Sequence, residues 1–198
     1  MRNLAAYRFW GYAATFGALW GAVEITVGSF LHAIKVPFGG VVLAGVGAAL
    51  LVSLRTVLPV RGVILAAGMV CAGVKLLSPA GAVIGPMTAI LVESLLVELA
   101  LGLRGASPLT GTVAGALTAL WSVLQKLVTQ TLFFGLPVLG IYQGIAVQAE
   151  RVLHLPASEG WSAVVTFLVC VAAIGSLFGF AGSRVGVATS RQLAQVAP

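Results

Sequence analysis

Six stretches of about twenty mostly apolar residues, parted by short breaks, constrain this chain more than any other feature. A run of that length, at 1.5 Å per helical residue, matches the roughly 30 Å hydrocarbon core of a bilayer. Lipid offers no partner for a free backbone N–H or C=O, so runs this long and this apolar must close their hydrogen bonds internally, as helices. The spans fall at approximately 11–31, 38–58, 62–80, 84–103, 109–134 and 161–182. The breaks carry turn chemistry: Pro37-Phe38-Gly39-Gly40, Pro59, Ser78-Pro79-Ala80-Gly81 and Gly105-Ala106-Ser107-Pro108. Pro86 and Pro108 suit the first turns of the fourth and fifth helices.

Composition agrees. Only 8% of the 198 residues are charged, against about 25% in soluble domains. The predicted fold is therefore an all-α integral membrane protein, a single membrane domain over 1–198. It is a six-transmembrane-helix bundle with an external amphipathic helix between spans five and six. That helix is read in the loop 135–160, where Val138, Ile141, Tyr142, Ile145, Ala149 and Val152 recur at helical spacing. It is either a lid or a connector resting in the headgroups.

Basic residues orient the bundle. With the N-terminus inside, the inner flanks collect Arg2, Arg8, Arg55, Arg61, Arg104, Arg184 and Arg191, and the outer side only Lys35 and Arg151. A multi-pass protein of the cell (inner or plasma) membrane with both termini cytoplasmic is expected, without a cleavable leader. The net charge of +6 comes from these scattered flanks. There is no basic run with interleaved aromatics, so no nucleic-acid partner is expected.

Glu24, Lys75, Glu93, Glu98 and Lys126 break the apolar pattern. Each costs roughly 2.5–3.5 kcal/mol near a helix centre unless paired or wet. Glu24 and Lys75 each lie 13 residues from the inner end of their spans, roughly 20 Å up. Lys126 lies nearer the outer end and Glu93 near mid-depth. Glu98 lies toward the cytoplasm, where it snorkels or pairs with a flanking arginine. On span five, Thr118, Ser122, Gln125 and Thr129 follow one helix face, with Lys126 and Gln130 beside it. Trp121 precedes Gln125 by one turn, and Trp20 precedes Glu24 likewise. Aromatic plates, amides and charges suit a pocket for a small polar molecule. The candidate substrate-binding residues are Trp20, Glu24, Lys75, Glu93, Trp121, Gln125, Lys126 and Gln130. Both charge signs fit a zwitterionic or acidic molecule. Structural pairing among the charges is the competing reading.

Other chemistries lack their residues. The chain contains no Asp and one Asn, Asn3, which excludes aspartate-rich diphosphate sites and aspartyl proteases. Cys71 and Cys170 are isolated in apolar spans and read as small core residues. His32 reads as a solvated tip. No metal site and no cofactor are expected. No G-x-x-x-x-G-K-[ST] loop is present, so any ATP-driven work needs other subunits. An intramembrane enzyme acting on a lipid or isoprenoid would have to use Glu93 and Glu98. Five residues apart, they point about 140° apart around a helix.

Small residues form seams at Ala14/Ala18/Ala22, overlapped by Gly17 and Gly21, and at Gly111/Gly115 and Gly175/Gly179. Such seams let helices approach closely. The first is the longest and the best candidate for docking a partner.

Six spans in about 200 residues, both ends inside, an alanine ridge on the first helix and a polar site toward the outside resemble the S components of energy-coupling factor transporters. The resemblance covers the architecture of nearly the whole chain. It implies capture of a vitamin or other micronutrient in bacteria, with no ATPase activity of the chain's own. It also implies docking on a coupling protein and two ATPases through Ala14, Ala18 and Ala22. The chain has neither a vitamin-specific motif nor the histidine-rich N-terminus of the cobalt and nickel versions. The expected function is the substrate-capturing membrane subunit of such an importer, with a small-molecule substrate and membrane lipid as its other partners. An accessory or scaffolding subunit of another membrane complex, or a small secondary carrier, is the alternative.

Overall fold

The computed structural model describes residues 2–34, 39–77, 84–134 and 161–196, with isolated positions at 143–144 and 147. The expected external helix at 135–160 lies outside the described residues, those isolated positions apart. Six helices carry the fold: α1 (Arg2–Ala33), α2 (Gly39–Val57), α3 (Val63–Lys75), α4 (Ile84–Arg104), α5 (Pro108–Phe134) and α6 (Trp161–Val196). No strand occurs among the described residues. Four helices hold segments long and apolar enough to cross a bilayer: Leu4–Leu31, Gly39–Val57, Ile84–Arg104 and Val164–Gln195. This is a membrane-embedded protein whose described elements are all helices.

The outward faces show why lipid is the solvent. On α4, Leu91, Leu95, Leu99 and Leu103 recur every fourth residue and are all exposed, whereas Ile90, Glu93, Ser94, Val97 and Leu101 are buried. A water-soluble helix reverses that arrangement. Phe30, Val165, Val169 and Leu177 are likewise exposed on α1 and α6.

Two helices overrun the lengths expected from hydropathy. α1 begins at Arg2 rather than near 11, and α6 continues to Val196 rather than ending near 182. Hydropathy marks where a helix leaves hydrocarbon, and backbone hydrogen bonding carries it further. Gly186 and Ser190 of α6 still pack on Thr56 of α2 beyond that point. α3 errs the other way: it has 13 residues, about 20 Å of helix. It closes at Lys75, after which Leu76 and Leu77 donate back to Gly73 and Val74 in a tightened last turn.

α2 is the hub and packs against all five other helices. Around it run α1, α3, α4, α5 and α6 in that order, each touching the next, and among the described residues α1 touches only α2 and α3. Glycine makes these contacts close. The two seams of α5 and α6 meet each other: a Cβ on Gly115 would lie 2.9 Å from Gly179 N, and one on Gly111 would lie 2.8 Å from Gly179 O. Gly182 approaches Ala49 Cα of α2 in the same way, and Ser53 Oγ donates across that seam to Gly182 O at 2.8 Å. Without a hydrophobic force between helices in lipid, such close contact supplies the packing energy.

Candidate functional site

α1 divides its two interleaved small-residue series. Gly17 and Gly21 turn inward against α3, where added Cβ atoms would sit 2.8 Å from the Cβ atoms of Val70 and Val74. Ala13, Trp20 and Glu24 share that buried face. Ala14, Ala18 and Ala22 are exposed, on an arc centred roughly 120° away at 100° per residue. The alanine ridge is therefore free of the bundle.

The inward face brings Glu24 to the end of α3. Lys75 Nζ lies 3.6 Å from Glu24 Oε2 and donates to the Glu24 carbonyl at 3.1 Å. Both residues are buried. At 3.6 Å and an effective dielectric near 20, the attraction is roughly 4–5 kcal/mol before desolvation is subtracted. Lys75 also sits in the last turn of α3, where its charge complements the helix dipole. Trp20 is fully buried, with its indole against Gly47 of α2. Its Nε1 makes no hydrogen bond of good geometry, and the neighbouring acceptor is the Glu24 carboxyl group.

Glu93 joins from α4. It is 5% exposed and close enough to Glu24 for their charges to interact. Side chains lean toward the N-terminus of their own helix. α3 and α4 run antiparallel, so Glu93 leans toward the Lys75 end of α3. Cys71, one turn before Lys75, lies in the field of both glutamates. Cys71 is a fully buried residue of the core, as expected, whereas Cys170, read the same way, is exposed.

The α5 candidates are placed elsewhere. Gln125 Nε2 donates to Gly85 O at 2.7 Å, tying α5 to the first turn of α4. Thr118 and Ser122 return their hydroxyls to carbonyls of their own helix. Trp121 Nε1 is buried without a hydrogen bond. Among the described residues neither α1 nor α3 touches α5, so Trp121 and Gln125 do not share a layer of direct contact with Glu24 and Lys75. The side chains of Lys126 and Gln130 lie outside the described residues. An open apolar notch of about 200 Å³ between α5 and α6 is lined by Leu120, Val123, Leu124 and Leu168, with no charged side chain among the described residues.

Glu98 separates from the cluster. Its Oε1 lies 3.6 Å from Arg55 Nη1 and accepts from Gly62 N at 2.9 Å. Arg55 Nη1 also donates to Val60 O. Gly62 precedes α3 with φ +83°, a left-handed conformation suited to glycine. Glu98 and Arg55 thus fix the turn between α2 and α3, which is a structural duty. No group of three or more His, Cys, Asp or Glu able to hold a metal occurs among the described residues.

In comparisons with protein-family models, curated proteins and solved structures, nothing matched the chain. The fold and site define a class only: a small membrane-embedded helical bundle with a buried charged cluster on its first, third and fourth helices.

Proposed function

We propose that this chain is the substrate-capturing membrane subunit of an importer of the energy-coupling factor type, taking a small micronutrient-like polar molecule. In this reading the six helices are six spans, both termini are cytoplasmic, and 135–160 forms a helix on the outer surface. The substrate enters from outside toward Glu24, Lys75 and Glu93. The observation that carries the reading is the division of α1: a buried charged face toward the bundle and a bare alanine ridge away from it. A subunit that both holds a ligand and docks on a driver needs two such faces. The energy comes from partner ATPases, reached through a coupling protein seated on Ala14, Ala18 and Ala22.

Native mass spectrometry of the gently purified protein, alone and after co-expression with such a module, tests this. A retained small molecule and a stable complex are expected. A protein that retains neither ligand nor module sinks the proposal. The scaffolding alternative draws support from the Glu24–Lys75 contact, since paired charges stiffen a bundle without any ligand. Full function of the partner complex with both charges removed would favour it.

A further inference from the structure

The cluster leaves one buried carboxyl group without a partner among the described residues. Lys75 is committed to Glu24 twice, through the carboxylate and the carbonyl. Arg55, the other buried cation among the described residues, is committed to Glu98 and Val60 near the opposite end of α3. Glu93 is 95% buried, and no hydrogen bond or ion pair reaches its carboxyl group among the described residues. Its charged neighbour Glu24 has the same sign. The next residue on α4, Ser94, spends its hydroxyl on Leu91 O. A buried carboxyl without a partner stays neutral, and an ammonium ion docked on it would supply the compensation that its ionised form lacks.

We infer that the ligand of this site is a monovalent organic cation, carrying a protonated amine and no compensating carboxylate, whose ammonium group docks on Glu93 while the Glu24–Lys75 pair stays closed. The inference rests on the capture reading above and sharpens its substrate class. An anion would have to draw Lys75 off Glu24, leaving the Glu24 carboxylate unpaired in an apolar bundle. A zwitterion would bring its own carboxylate to the same place and make the same demand on Lys75. A protonated amine offers several N–H donors to a carboxylate that has none, and such charge-assisted bonds are the strong ones. A transition metal is disfavoured because no set of three ligating side chains converges among the described residues.

The full-length protein in mild detergent is incubated with a defined equimolar mixture of small amines, amino acids, carboxylates and neutral sugars in sodium-free buffer. The retained species are then read by native mass spectrometry. Amines without a carboxylate should be retained selectively. Glu93→Gln should weaken retention by at least about 10-fold, and Glu93→Asp, which keeps the charge, should recover most of it. Wild-type selectivity reads the ligand's charge even if Glu93→Gln fails to fold. Retention of an amino acid, a carboxylate or a neutral species instead overturns the cationic class and leaves the capture reading standing. Equal retention of the amine by a folded Glu93→Gln protein, or its displacement by sodium chloride but not by an uncharged osmolyte of equal osmolarity in both proteins, moves the cation off Glu93 and overturns the inference. Retention of nothing at all by the wild type brings down the capture reading itself.

Discussion

Removing Lys75 alone should destabilise the protein far more than removing Lys75 and Glu24 together. Lys75→Met keeps the length of the side chain and deletes the ammonium that holds Glu24 at 3.6 Å and its carbonyl at 3.1 Å. The direct attraction is roughly 4–5 kcal/mol at an effective dielectric near 20. Breaking a buried pair by taking one partner typically costs 3–5 kcal/mol, because the other charge is left unpaired. At about 2–4 °C per kcal/mol for a chain of this length, Tm should fall by roughly 6–20 °C. Glu24→Gln should cost less, since Lys75 retains the Glu24 carbonyl. The double variant removes both charges and should recover most of the loss, giving a coupling energy of at least about 2 kcal/mol. The assay is the midpoint for loss of monodisperse elution on heating, in one detergent for all four proteins. If the two single losses add in the double variant to within about 0.5 kcal/mol, the residues do not act as partners and the site geometry argued above is wrong.

Four further outcomes follow from packing and exposure. Gly115→Val and Gly175→Val should prevent folding, because added Cβ atoms there meet helix backbone. Gly73→Ala, in α3 with nothing within 4 Å of its notional Cβ, should raise stability by up to about 1 kcal/mol through helix propensity; comparison of expression and elution profiles checks both. Arg55→Ala should cost about 3–5 kcal/mol by orphaning Glu98. Glu98→Gln should cost less, because its amide oxygen still accepts from Gly62 N; amide exchange at 58–64 should rise far more in the first variant. Ala18→Leu, on the exposed ridge, should leave Tm within the change of about 0.5 kcal/mol typical of surface positions. It should lower association with a coupling module at least about 10-fold, measured by co-purification, since close packing needs small residues.

What was legible beforehand follows from what hydropathy encodes. Helix existence and depth were readable: counting residues from the span ends put Glu24 and Lys75 at equal depth, and they do pair. Pairing of Glu98 with a flanking arginine was readable for the same reason. Which face a membrane helix turns inward was not, because lipid and core are equally apolar. Nothing in the sequence separates Gly17 and Gly21, which pack on α3, from Ala14, Ala18 and Ala22, which do not. Helix neighbours were equally hidden. The stripe on α5 and the charges of α1 share a depth range, yet α2 and α4 stand where contact would be needed. Glu93 was read into the same layer as Glu24 by that depth count, and it is buried on α4.

The seam between α1 and α3 sets the geometry of the cluster, and this can be tested apart from any ligand. Gly21 packs on Val74, the residue before Lys75, and stands one turn before Glu24 on α1. A Cβ there would lie 2.7 and 2.8 Å from Val74 side-chain carbons, closer than carbon atoms pack at their optimum of about 3.5–4.0 Å. Gly21→Ala must therefore push α1 away from α3 unless Val74 turns aside. Moving the helices apart by about 1 Å would lengthen the Glu24–Lys75 contact from 3.6 to roughly 4.6 Å and weaken the direct attraction by roughly a fifth. The carbonyl bond from Lys75 would pass beyond hydrogen-bonding range. The coupling energy from the Glu24/Lys75 cycle should then fall when that cycle is repeated in a Gly21→Ala background. Pairing Gly21→Ala with Val74→Ala, which clears the space, should restore it. A coupling energy unchanged by Gly21→Ala would mean that the charges find each other regardless of how the helices pack, and the close seam would then have no part in building the site.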